Sequence, residues 1–172
     1  TTSGYELWKS DGTEAGTVRV KDIVPGSGNS YPNNLTAVGT TLYFSATDGT
    51  GGHELWKSDG TEASTVRVMD IQSGSGSSSP TNLTVVGTTV FFCASDTTSG
   101  YELWKSGGTE ATTVRVKDIR SGKSGSGPNY LTAVGSTLYF SATDGTSGME
   151  LWKSNGTEAG TVRVKDIQSG KD

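Results

Sequence analysis

The pentapeptide Glu-Leu-Trp-Lys-Ser begins at Glu6, Glu54, Glu102 and Glu150, so the chain is built on a strict period of 48 residues. Units of that length bury little on their own and gain a continuous core by stacking on one another. The eighteen-residue block 6–23, ELWKSDGTEAGTVRVKDI, recurs at 54–71 with two changes, at 102–119 with two and at 150–167 with one. A second block starts at Leu35, Leu83 and Leu131, and Pro32, Pro80 and Pro128 keep register in the connecting segments. Connectors of constant length imply one repeated geometric step from each unit to the next.

Within a unit the pattern predicts four short strands and no helix. Leu35–Val38 is followed by Gly39-Thr40, and Thr41–Thr47 then alternates so that Leu42, Phe44 and Ala46 share one face. A Gly-containing loop at 48–52 leads to Glu54–Ser58, and the turn Asp59–Ser64 leads to Thr65–Ile71. The stretch 72–82 is rich in Ser, Gly and Pro and reads as the crossing to the next unit. Four strands in a unit of this size predict an all-β fold of tandem antiparallel, β-propeller-like blades. A linear β-solenoid or stacked-hairpin array is the alternative.

The units divide as 1–24 (an outer hairpin alone), 25–72, 73–120 and 121–172, together one repeat domain. Four ELW hairpins against three LTAVG-type hairpins make three and a half blades. A single-chain propeller needs about four or more complete blades. The expectation is therefore a segment of a longer array, or an oligomer, with self-association or flanking repeats as partners.

The ELWKSDGT strings at 6–13 and 54–61, with ELWKSGGT at 102–109 and ELWKSNGT at 150–157, resemble the ELWxxDGT tandem-repeat family. That resemblance covers nearly the whole chain. It implies a secreted or surface-attached bacterial-type repeat protein with a propeller-like fold, and it brings no catalytic residues.

Composition narrows the function classes. The formal net charge is −4, from 18 acidic and 14 basic residues, which lacks the basic excess of a nucleic-acid binder. No apolar run approaches the roughly 18 residues of a membrane helix, so neither nucleic acid nor membrane insertion is expected. One Cys permits no disulfide within the chain. The N-terminal residues lack a signal-peptide succession, so any targeting segment is expected outside this stretch.

Each recurring side chain admits a structural and a functional reading. Trp8, Trp56, Trp104 and Trp152 are candidate sugar-stacking platforms, but burying them between blades is favoured because large apolar residues are scarce. Pairing Ser10 with Thr17 across the hairpin predicts Trp8 opposite Arg19, as a cation–π pair, and Glu6 opposite Lys21. The first turn position is Asp11, Asp59, Gly107 and Asn155. Asp, Asn and Gly all suit a tight turn, whereas Gly offers a cation no side-chain oxygen. Asp48, Asp96 and Asp144 keep a carboxylate in every copy and are retained as a weak candidate Ca2+ site, with no other cofactor expected.

Glu6, Glu54, Glu102 and Glu150 recur with Asp22, Asp70, Asp118 and Asp166, but a glycosidase pair needs one singular cleft. His53 stands where Tyr5, Tyr101 and Met149 stand and reads as a loop filler; Cys93 replaces Ser45 and Ser141 as a small strand residue. Asn34, Asn82 and Asn155 open candidate glycosylation sequons. The expectation for function is a non-enzymatic, extracellular or cell-surface binding or adhesion module. Its repeated loops would meet glycans or surface glycoconjugates in lectin-like, multivalent fashion. A purely structural surface or filament component without a ligand is the alternative.

Overall fold

The computed structural model describes residues 4–167, 169 and 170. The outermost ends of the first and last predicted units, 1–3 and 171–172, lie outside the described residues. Among the described residues, fourteen strands form four antiparallel sheets. The first sheet is the hairpin β1 (Leu7–Lys9) and β2 (Val18–Lys21). The second runs β3 (Asn33–Val38), β4 (Thr41–Thr47), β5 (His53–Ser58) and β6 (Val66–Met69). The third comprises β7 (Thr81–Val86), β8 (Thr89–Asp96), β9 (Gly100–Ser106) and β10 (Val114–Lys117), and the fourth β11 (Asn129–Val134), β12 (Thr137–Ala142), β13 (Glu150–Ser154) and β14 (Val162–Lys165). Among the described residues the helical content is one 3-10 turn, Glu110–Thr112.

Each full sheet is a meander in which sequential strands are neighbours, as short hairpin connections require. The two-residue turns within them, such as Gly39-Thr40, use the positive φ of 58° at Gly39, which a side-chain-bearing residue rarely adopts. The register between β4 and β5 sets Phe44 opposite Trp56 and Ser45 opposite Leu55, and the third and fourth sheets repeat it as Phe92 with Trp104 and Phe140 with Trp152. A bulge between Leu55 and Trp56 leaves Leu55 opposite Met69 and Trp56 opposite Arg67, with Val68 as the extra residue.

Period-two alternation gives each sheet two apolar faces, and these stack in sequence order. Leu7, Val20 and Ile23 of the first sheet meet Phe44, Ala46 and Trp56 of the second. Leu55, Val68, Ile71 and Tyr43 on the other face of the second sheet meet Val90, Phe92, Ala94 and Trp104 of the third. Phe91, Leu103, Val116 and Ile119 then meet Leu138, Phe140, Ala142 and Trp152 of the fourth. Every interface therefore sets a Leu/Val/Ile face against a Trp-bearing face, the arrangement of propeller-like blades.

The inner strands lie side by side. Thr36 and Thr84 donate from Oγ1 to the carbonyls of Leu83 (3.4 Å) and Leu131 (3.1 Å), joining β3 to β7 and β7 to β11. Lysines close the outer rim: Lys9, Lys57 and Lys105 donate from Nζ to the carbonyls of Gly60, Gly108 and Gly156 at 2.7–2.8 Å, each in the next sheet. Lys21 and Lys117 likewise reach the carbonyls of Thr65 (2.8 Å) and Thr161 (3.0 Å).

Candidate functional site

In a four-stranded meander the start of strand one, the loop between strands two and three and the exit from strand four lie at one end of the sheet. That end carries the recurring Glu at the third strand, the Asp of the loop before it and the Asp at the exit from the fourth strand. Glu54 and Glu102 are fully buried at the start of β5 and β9. Oε2 of Glu54 accepts the Ile71 N–H (3.0 Å) and the Ser78 hydroxyl (2.6 Å), while Oε1 accepts the Ser78 N–H (2.9 Å). Glu102 repeats this with Ile119, Ser126 and Arg120, and Glu6 with Ile23, Val24 and Ser30. Glu150 accepts the Ile167 N–H at 2.8 Å.

This corrects the expected pairing of Glu6 with Lys21. The bulge puts Leu7 opposite Lys21, and Glu6 turns to the connector instead. Each connector serine also bridges forward: Ser30, Ser78 and Ser126 accept from the N–H of Thr47, Ser95 and Thr143 in the next sheet at 2.9–3.0 Å. The glutamate thus staples the exit from its own sheet to the entry into the next one. Desolvation by burial pushes the carboxyls of Glu54 and Glu102 up despite these donors. Sequence reasoning missed this role, although the signal was present as a Ser two residues before each connector proline and 24 residues after Glu6, Glu54 and Glu102.

Asp48, Asp96 and Asp144 organise the loops between the second and third strands. Asp48 Oδ1 accepts the N–H groups of Thr50 (2.9 Å) and Gly51 (2.8 Å) and the Thr50 hydroxyl (2.8 Å). Its Oδ2 faces Arg67 Nη1 at 3.7 Å, and Arg67 Nη2 lies 3.6 Å from Asp70. The same Asp–Arg–Asp bracket is formed by Asp96, Arg115 and Asp118 and by Asp144, Arg163 and Asp166. Burial acts to raise Asp48 and Asp96, but the loop donors, with Arg67 beside Asp48, outweigh it and hold both low. The Ser147 N–H and the Thr146 hydroxyl lead in holding Asp144 low. A guanidinium therefore stands between the two carboxylates where a cation would have to bind. Among the described residues, no three His, Cys, Asp or Glu side chains converge as metal ligands.

The outer turn is held by its first residue. Asp11 Oδ1 accepts from Thr13 N–H and Oγ1 at 2.9 and 2.7 Å, and Asn155 Oδ1 does the same for Thr157 at 3.0 and 2.7 Å. Gly107 has no such oxygen, and there Thr112 Oγ1 accepts the Thr109 N–H at 3.1 Å in its stead. Residues 16 and 160, which align with Thr112, are glycines whose added Cβ would lie 2.0 Å from the Asp11 or Asn155 oxygen. In the second sheet Asp59 stands with Ser64, whose hydroxyl donates to Asp59 Oδ1, so there the two side chains share the turn, whereas the other three turns carry one acceptor side chain and one glycine.

Trp56, Trp104 and Trp152 are each 6% exposed between sheets, whereas Trp8 is 52% exposed because no sheet covers its face. Trp8 stands opposite Arg19, as the hairpin register required, and the Arg19 guanidinium is 3.0 Å from Asp22. Of the four tryptophans, Trp8 alone presents its ring to solvent. It borders an open pocket with Tyr5, Tyr31, Pro32 and Leu35.

Beside that pocket the repeat symmetry is broken. The Tyr5 and Tyr31 rings stack at 6.0 Å with 20° between planes, and His53 follows at 6.5 Å from Tyr31. Tyr31 has φ of 46°, where Ser79 (47°) and Gly127 (58°) occupy the same turn in the next two units. A bulky residue in the left-handed region is an outlier. Asn29 braces the row, accepting the Tyr5 N–H at 2.7 Å and donating to the Tyr31 hydroxyl at 3.2 Å.

The sequon asparagines differ in setting. Asn34 and Asn82 donate from Nδ2 to the carbonyls of Pro80 (3.2 Å) and Pro128 (3.3 Å), so their amides already link neighbouring inner strands. Asn155 lies exposed in an outer turn. Cys93 is buried in β8, with its thiol pushed up to about 12 by desolvation.

No protein-family model and no curated protein sequence matches this chain. Among solved structures it is similar to the crystal structure of a computationally designed protein, Ika8, at 17% identity with a TM-score of 0.52. The match covers 99% of this chain and 46% of the designed one, so the chain spans about half of that protein's length. At that identity the likeness concerns the fold alone.

Proposed function

We propose that this chain is a non-enzymatic binding or adhesion module of a secreted or surface-attached protein, and that its ligands are glycans met by exposed aromatic rings. The observation that carries this reading is the Tyr5–Tyr31–His53 row, with Tyr5 74% and Tyr31 51% exposed. Flat rings at such spacing offer apolar faces to the C–H faces of sugar rings, and Asn29 and Asn33 supply amides next to them. The commitment of the repeated glutamates to connector N–H groups supports a non-enzymatic role, since a general acid or base must be reachable by substrate.

A glycan array tests the reading. Hits that are competed by free monosaccharide and lost in Tyr31→Ser support it; Ser is already accommodated in the same turn at Ser79. A blank array with polymeric assemblies under the microscope turns the assignment to a structural surface or filament component. The uncovered apolar faces of the first and last sheets favour that second reading.

A further inference from the structure

Among the described residues two faces of the stack are uncovered, and they match the two sides of the internal junctions. On the last sheet Leu151, Val164 and Ile167 are 39%, 45% and 69% exposed, whereas Leu55, Val68 and Ile71 in the same positions are 0%, 7% and 8% exposed. On the first sheet Trp8 is 52% exposed against 6% for its three counterparts. At all three internal junctions a Leu/Val/Ile face of this composition is covered by the Trp face of the following sheet.

We infer that the Leu151/Val164/Ile167 face is a docking surface for the Trp8 face of a second copy of this chain, joined head to tail. The internal junctions also fix the register. Lys9, Lys57 and Lys105 each reach a turn-glycine carbonyl in the next sheet, so Lys153 reaches the Gly12 carbonyl of the second copy. Lys21 and Lys117 each reach a threonine carbonyl, so Lys165 reaches that of Thr17. A lone outer hairpin is enough to form one side of such a junction. Trp56 packs on the two-stranded first sheet and is as buried as Trp104 and Trp152, which pack on four-stranded ones. The first sheet does lack the strand that would carry counterparts of Phe44 and Ala46, so the intermolecular junction is smaller than the internal ones and its formation depends on concentration. The contact is heterologous, since different patches of the two copies meet.

Sedimentation equilibrium and acrylamide quenching of tryptophan fluorescence test this on the chain as it stands. The weight-average mass is expected to climb above 17.8 kDa with loading concentration, and quenching to fall in parallel as Trp8 becomes covered. Trp8→Asp and Val164→Asp, both at solvent-exposed positions, are each expected to stay monomeric with unchanged circular dichroism. Mixed in equal amounts they are expected to form a one-to-one dimer and nothing larger, because one intact face survives on each. A single 17.8 kDa species for the unaltered chain at every concentration overturns the inference. So does association of either variant alone, or a mixture that remains monomeric. If either variant loses its circular dichroism, the quenching series on the unaltered chain decides alone.

Discussion

The Ser78 hydroxyl sits 2.6 Å from Oε2 of Glu54, across 24 residues of chain, and both side chains are shut away from solvent. Hydrogen bonds to a charged group contribute about 1.5–3 kcal/mol, and an orphaned buried partner adds to the loss. Ser78→Ala is therefore expected to lower the unfolding free energy by about 2 kcal/mol. Glu54→Gln should cost at least as much, because its amide nitrogen would confront N–H donors. Urea denaturation measures both, and equal midpoints for variant and parent would refute the staple.

Opposed shifts predict a stability optimum on the acid side of neutrality. Burial raises the carboxyls of Glu54 and Glu102, so their contribution is fully present below the unfolded value of about 4.3 and is lost as pH rises through the folded value. Asp48, Asp96 and Asp144 are lowered, so theirs is present above about 3.9 and is lost as pH falls through the folded values. Melting temperature measured from pH 3 to 8 should peak between these limits. Glu102→Gln should flatten the upper limb and leave the lower one in place.

Gly107 and Thr112 should behave as a coupled pair. An added Cβ at Gly107 would lie 3.2 Å from Thr112 Oγ1, and Thr112→Gly leaves the Thr109 N–H without its acceptor. Each single change, Gly107→Asp and Thr112→Gly, is expected to destabilise. The double variant recreates the Asp11/Gly16 turn and should be nearly neutral. A double-mutant cycle with a coupling energy of about 1 kcal/mol is the expected result.

Met69 stands where Lys21 and Lys117 reach into the next sheet. Met69→Lys should add a bond to the Thr113 carbonyl and stabilise by about 0.5–1 kcal/mol. For a chain of this size that is a rise in melting temperature of roughly 1–4 °C.

The Cys93 thiol, buried in β8 and pushed up to about 12, should resist alkylation in the folded chain. Labelling with a maleimide should follow global unfolding in urea. Rapid labelling in buffer would show that β8 opens on its own.

The fold was legible because apolar alternation and turn glycines act locally: Leu42, Phe44 and Ala46 share a face in any extended chain, and Gly39 turns it back. The cross-strand meeting of Trp8 with Arg19 follows from counting back from the turn. The counting fails one step further out, at Leu7, which meets Lys21 in place of Val20 and so displaces Glu6, because a bulge is an insertion in pairing that residue types alone do not announce. The use of Glu54 was hidden for a related reason. Its partners Ile71 and Ser78 are brought to it by the connector path, a tertiary fact. The aromatic row depends on Tyr31 taking a glycine-like backbone angle, which its neighbours Ser30 and Pro32 do not dictate.

The near-identity of the units also bears on how the chain reaches its native state. The Phe44–Trp56 pairing is chemically the same as Phe92–Trp104 and Phe140–Trp152, so a hairpin cannot tell its own sheet from a sibling's. During refolding the open edge of β1 is a standing invitation to a stray hairpin from any unit or any chain. Fidelity must then come from connector length, and a longer or shorter connector would trade correct topology for exchanged strands.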